Sequence, residues 1–133
     1  MEKGKVAGLG GVFFKSRNPG ELKEWYGQAL GLPCDEYGHT FKWLTREDPS
    51  VTGHTQLGIF DKETNYFDPS EQPYMINFRV DDLDAVLERL KKLGATLVGE
   101  PESYEYGRFA WVMDPEGRKI ELWEPSENPF NDD

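Results

Sequence analysis

The chain is poor in sulfur, in histidine and in positive charge. Cys34 is its single cysteine, so no internal disulfide can close and the chain suits a reducing compartment. A nucleophilic thiol needs an activating base or an electropositive neighbour, and none stands beside Cys34 in sequence. Lysine and arginine number 15 against 25 acidic residues, a net charge of −10. Such a surface repels nucleic acid and anionic membranes, which excludes both as partners. No run approaches the ~20 apolar residues of a membrane span. The opening Met1-Glu2-Lys3-Gly4-Lys5 is polar and leads into no signal-like apolar stretch. The expectation is a cytoplasmic protein.

What is present is enough for a core. The 133 residues fit one domain, and 37% are hydrophobic and 14% aromatic, more aromatic than a disordered chain carries.

The sequence repeats itself once. Gly11–Ser16 reads as a strand. Asn18-Pro19-Gly20-Glu21 then reads as a helix start, with Asn18 as cap, Pro19 in the first helical position and Glu21 placed to close a capping box. Leu22, Trp25, Tyr26, Ala29 and Leu30 follow at helical spacing, and Gly31 stops the helix. The second copy opens with the strand Tyr74–Val80 and a cap at Asp81. Leu83, Val86, Leu87, Leu90 and Leu93 form its apolar stripe and Gly94 ends it. Phe14-Lys15 corresponds to Phe78-Arg79, and Leu30-Gly31 to Leu93-Gly94.

Three strands follow each helix in this reading. They fall near Pro33–Glu36, Thr40–Leu44 and Gln56–Phe60, then near Thr96–Glu100, Phe109–Met113 and Lys119–Glu124. Asp114-Pro115-Glu116-Gly117 is a turn, with proline early and glycine last. The first module spans about 5–61 and the second about 74–125. Polar residues 62–73, with Pro69 and Pro73, link them, and residues 126–133 form a fraying tail. The fold class is α+β, with paired βαβββ modules forming a partly closed cup.

Strand alternation separates the face that covers the helices from the face that lines the cup. Val12 with Phe14, Leu57 with Ile59, Ile76 with Phe78, and Ile120 with Leu122 go to the helix side. Gly11, Phe13, Lys15, Gln56, Gly58, Phe60, Met75, Asn77, Arg79, Lys119, Glu121 and Trp123 remain for the cup. Aromatic rings interleaved with isolated polar groups suit a small-molecule pocket.

Asp114-Pro115-Glu116-Gly117-Arg118-Lys119-Ile120-Glu121-Leu122, with Asn18–Leu22, Trp25-Tyr26 and Phe78–Leu83, resembles the vicinal oxygen chelate superfamily: glyoxalase I, bleomycin-resistance proteins and extradiol dioxygenases. The likeness implies paired βαβββ modules, often in homodimers. The metal enzymes of that superfamily take one ligand from the first and one from the last strand of each half, and their ion acts as a Lewis acid. Those positions fall here on Gly11, Gln56, Met75 and Glu121. Gly11 offers nothing, Gln56 is neutral and Met75 is a soft thioether. The expectation is no metal and no cofactor. His39 and His54 read as surface residues.

Glu121 is the one acidic group placed deep in the cup and is the candidate catalytic residue. Burial would suit it to act as a base next to a carbonyl. Lys15 and Arg79, in matching places, are positioned to neutralise it or a ligand anion. Phe13, Lys15, Gln56, Asn77, Arg79 and Trp123 are the candidate ligand-binding residues, and Tyr104, Tyr106 and Arg108 a possible rim. Two classes of function stay open. One is a homodimeric protein that binds or sequesters an apolar or aromatic ligand with an anionic or carbonyl group. The other is an enzyme: a metal-independent lyase or isomerase using Glu121, or a weakly metal-dependent glyoxalase-type lyase or dioxygenase.

Overall fold

The computed structural model describes residues 3–127, 129 and 130. The elements run β1 (Val6–Ser16), α1 (Pro19–Leu30), β2 (His39–Leu44), β3 (Thr52–Asp61), β4 (Tyr74–Val80), α2 (Leu83–Lys92), β5 (Thr96–Leu97), β6 (Glu102–Tyr104), β7 (Gly107–Met113) and β8 (Lys119–Pro125). They build one open eight-stranded sheet in the order β2-β3-β1-β4-β8-β7-β5, with β6 on β7. The first strands of the two halves, β1 and β4, lie side by side and antiparallel. Each pairs in parallel with the last strand of its own half, β1 with β3 and β4 with β8. The repeat in the sequence thus becomes a symmetric centre in a mixed α+β sheet.

Local chemistry fixes the helices. The Asn18 side chain accepts from the Glu21 amide at 3.1 Å, and Pro19 sits in the first turn. Gly31 ends α1 at φ 66°, a conformation glycine takes without strain. At α2 the cap is Asp82, which accepts from the Ala85 amide at 3.1 Å. Asp81, expected in that role, instead accepts from the Gly4 and Lys5 amides at 2.8 and 2.9 Å. Only the residue directly preceding Leu83 has its side chain beside the first-turn amides. The other is one residue outside and ties down the start of β1.

The two halves are packed unequally. Leu83 and Leu87 of α2, with Val86 and Leu90 beside them, close over Val80, Ala110, Val112 and Leu122, with Phe78 and Ile120 alongside. No residue of α1 is buried, and Trp25 and Leu30 stand 53% and 63% exposed.

Two of the expected strands shrink. Pro33–Glu36 is no strand; the segment turns back on itself through a single Asp35–Gly38 bridge. Pro33 lacks a donor for a ladder. Thr96–Glu100 contracts to Thr96–Leu97, because Gly99 takes φ 69° and Pro101 follows. The chain pairs again from Glu102 as β6. The 62–73 linker is not a solvated connector, since Phe67 is fully buried and Ser70 nearly so. In the tail, the Phe130 ring packs against His54 and Trp123, while positions 128 and 131–133 lie outside the described residues.

Truncating Leu83, 0% exposed in the α2 core, to alanine should cost about 3 kcal/mol. Leu93→Ala, at a position 75% exposed, should stay within about 0.5 kcal/mol of the parent. Urea unfolding monitored by circular dichroism reads both.

Candidate functional site

Cross-strand register assembles the site. Gly11 of β1 faces Asn77 of β4, Asn77 faces Glu121 of β8, and Glu121 faces Trp111 of β7. One step along, Phe13 faces Met75. Directly paired residues share a face, so this is the face opposite the α2 core. Gly10 and Gly11 keep the row tight at a bulge in β1. A Cβ on Gly10 would overlap Asn77 Oδ1.

Glu121 is 2% exposed, and its carboxylate is held by three neutral donors. The Tyr66 hydroxyl and Trp111 Nε1, the latter at 2.9 Å, donate to Oε2. Asn77 Nδ2 donates to Oε1 at 2.6 Å. Burial, then the charge of Glu121, pushes the Tyr66 phenol well above the usual tyrosine range. The buried Lys119 ammonium lies near the same carboxylate. Its Nζ donates to the Tyr66 carbonyl at 2.7 Å and rests over the Tyr66 and Trp111 rings at 5.3 and 5.9 Å. Burial lowers the Lys119 pKa, opposed by the charges of Glu121 and Asp68.

An apolar floor adjoins this centre. Phe13, Phe67, Met75 and Trp111 form a buried cluster, with Phe60, Val98 and Phe109 against it. The Lys15 ammonium lies over the Phe67 ring at 5.5 Å. Phe67 and Tyr66 come from the linker, which folds onto the sheet and occupies part of the expected cup. Beside it a cavity of about 250 Å³ opens between the linker and the segment joining β5 to β6. Tyr66, Trp111, Val98 and Lys119 line it, and Glu100 and Glu102 stand on its exposed side.

A second cluster forms around Arg79. Its guanidinium is sandwiched between Trp43 and Trp123, with both rings at 5.3 Å. Burial lowers its pKa, and its buried Nη1 has no hydrogen-bond partner among the described residues. Trp43 fits only because Gly53 and Gly8 lie under it, with no Cβ to collide with its ring. Trp123 stacks on Phe109 at 6.0 Å and donates from Nε1 to the Tyr106 carbonyl at 2.9 Å.

The structure therefore brings Phe13, Asn77 and Glu121 together, with Lys15 at the edge of their apolar floor. Arg79 and Trp123 form a separate stack. Gln56 turns away: it accepts from the Thr40 hydroxyl and donates to the Tyr37 carbonyl at 3.3 Å. Neither Lys15 nor Arg79 forms an ion pair with Glu121 among the described residues, and the nearby cation is Lys119, two residues away on the same strand. His54, expected at the surface, is 1% exposed because the Phe130 ring covers it at 4.5 Å. His39 heads β2, its Nδ1 at 2.8 Å from the Pro33 carbonyl. Tyr104 and Tyr106 stack on each other, and Arg108 pairs with Asp84 at 2.8 Å.

Sequence reasoning missed Tyr66, Phe67 and Trp111, and it placed Lys119 on the right face without a role. Two signals pointed to them. Tyr66-Phe67 is an aromatic pair inside an otherwise polar linker. Alternation along Phe109–Met113 sets Ala110 and Val112 toward α2 and leaves Trp111 opposite.

Residues 11–123 match the Glyoxalase-like domain family, and the chain belongs to that family, within the vicinal oxygen chelate superfamily. Its fold is shared by methylmalonyl-CoA epimerase from Mycobacterium tuberculosis, 23% identical over 95% of this chain and 93% of that one, with a TM-score of 0.61. A variant of the Streptomyces coelicolor methylmalonyl-CoA epimerase, in complex with 2-nitronate-propionyl-CoA, is 14% identical over 92% and 99%, with a TM-score of 0.67. A glyoxalase/bleomycin resistance protein/dioxygenase superfamily member from Vibrio splendidus 12B01 is 12% identical over 91% and 98%, with a TM-score of 0.56. No curated protein matches the chain in sequence.

Glu121→Gln must point an amide N–H₂ at one of the donors now facing a carboxylate oxygen. The expected loss is about 2 kcal/mol, read by urea unfolding; an unchanged midpoint would mean that the charge holds nothing together. Tyr66 predicts an alkaline effect. Its raised pKa keeps the proton on the folded chain, while the unfolded chain releases it near the ordinary tyrosine value of about 10. The stability from this group is fully present below that pH and is lost as pH rises above it. Tyr66→Phe should therefore lose less stability than the parent between about pH 9 and 11.

Proposed function

We propose that this domain binds a small organic molecule with an apolar or aromatic body and an anionic or carbonyl end, without the divalent ion of the superfamily's metal enzymes. The observation that carries the reading is the state of Glu121. Tyr66 and Trp111 fill Oε2 and Asn77 takes one side of Oε1, so at most one lone pair remains to offer an ion. The other three positions fit a metal no better. Gly11 has no side chain, Met75 is 1% exposed within an aromatic cluster, and Gln56 is bonded at the β2 edge. Among the described residues no three His, Cys, Asp or Glu side chains converge.

The same bonds argue against Glu121 as a base. Three protein donors already crowd the carboxylate that a substrate proton would have to reach. It also has almost no surface to present to a substrate. The enzymatic alternatives therefore rank below binding. In the binding reading Lys119 meets the ligand's anionic or carbonyl end, and the rings of Tyr66 and Trp111 meet its body.

No described helix is long and apolar enough to cross a membrane, and we place the protein in the cytoplasm. We also propose a homodimer. Val6, Leu9 and Leu44 on the strands and Trp25 and Leu30 on α1 are exposed, an apolar area that a second chain would cover.

Elemental analysis of protein purified without chelators tests the central statement. Zinc, manganese, iron, cobalt and nickel should each stay far below one per chain. One ion per chain, lost in Glu121→Gln, would overturn the reading.

A further inference from the structure

The cavity beside Lys119 is dipolar. Its inner end carries a buried ammonium, with Lys119 8% exposed, and its exposed side carries the carboxylates of Glu100 and Glu102. An ammonium has three N–H donors. One is taken by the Tyr66 carbonyl, and the other two have no acceptor within hydrogen-bond distance among the described residues. The neighbouring charges of Glu121 and Asp68 do not cancel the burial penalty on this ammonium, whose pKa stays lowered. An additional oxygen anion in the cavity would relieve it. On the exposed side, Glu102 accepts from the Tyr104 hydroxyl through one oxygen and keeps the other open. Glu100 makes no hydrogen bond or ion pair among the described residues. Tyr66, Trp111 and Val98 give the walls an aromatic and apolar surface.

We propose that this cavity binds a small zwitterion of the aromatic amino-acid class. Its carboxylate meets the Lys119 ammonium, its ring lies against Tyr66 and Trp111, and its own ammonium meets Glu100 and Glu102. The proposal rests on the small-molecule reading above and narrows it. One further observation favours a zwitterion over a plain anion, and another sets its size. The chain carries a net charge of −10, which repels monoanions at long range but exerts little force on a ligand of zero net charge. The 250 Å³ volume lies below the roughly 300–1,000 Å³ of drug-sized pockets, so the ligand is of single-metabolite size. A plain anion would leave the two carboxylates beside its apolar end, where they gain nothing.

Three probes of matched shape separate the possibilities: L-phenylalanine, phenylacetate and phenethylamine. Each is titrated into the full chain, followed by calorimetry and tryptophan fluorescence. L-Phenylalanine should bind about tenfold tighter than either singly charged analogue, a difference of ~1.4 kcal/mol. Lys119→Met should weaken it about tenfold or more, with circular dichroism reporting whether the variant folds. Glu100→Gln with Glu102→Gln, both at exposed positions, should weaken L-phenylalanine while leaving phenylacetate unchanged or tighter, and this arm stands even if the lysine variant unfolds. Phenylacetate binding as tightly as L-phenylalanine would overturn the zwitterion and leave the anionic-ligand reading intact. No binding by any probe would likewise overturn the zwitterion alone, whereas preference for phenethylamine would overturn both.

Discussion

A carboxylate that is 2% exposed is several kcal/mol too costly to leave without partners, and Glu121 draws its donors from three separate parts of the chain. Asn77 comes from the neighbouring central strand, Trp111 from the next strand outward and Tyr66 from the linker between the halves. The last of these shapes the site. Pinning Tyr66 to the sheet carries Phe67 into the cluster with Phe13, Met75 and Trp111, and it sets one wall of the cavity. Lys119 completes the arrangement by holding the Tyr66 carbonyl from the same strand as Glu121. Glu121 is thus a hydrogen-bonded hub that holds the linker on the sheet.

The two halves share topology but not energetics. The second half supplies the packed helix core, and its β7 and β8 contribute Trp111, Lys119, Glu121 and Trp123. The first half contributes Phe13 and Phe60 to the apolar floor and Trp43 to one side of the Arg79 guanidinium, but no residue of α1 is buried. A cation between two indoles gains from their quadrupoles without needing a carboxylate, so Arg79 is stable where it stands and does not reach for Glu121.

The sheet and its faces were legible because they follow from local chemistry repeated twice. A cap, an apolar stripe and a stopping glycine define each helix, and strict alternation in Tyr74–Val80 and Lys119–Glu124 assigns Asn77 and Glu121 to one side. What connects those faces was not legible. The linker has no periodicity, and the fate of Tyr66 depends on a hydrogen bond to a residue 55 positions away. Gln56 shows the limit of parity: the strand face gives its side, but the nearby Thr40 hydroxyl and Tyr37 carbonyl decide where its side chain ends. His54 was misread for the same reason, since its burial depends on Phe130 from the tail. The choice between Asp81 and Asp82 turned on a single residue of offset, where two adjacent aspartates give no sequence preference.

The account turns on whether the oxygens of Glu121 belong to the protein or to an ion. The indole N–H of Trp111 donates to that carboxylate at 2.9 Å, so its proton resonance reports directly on the answer. Titration with manganese(II), followed by nitrogen–proton correlation spectroscopy, is the measurement. The account predicts that the Trp111 indole signal stays sharp at one equivalent, beyond the general effect seen on all exposed amides. Selective loss of that signal at stoichiometric manganese, together with those of Asn77 and Gly11, would place an ion on Glu121 and contradict it.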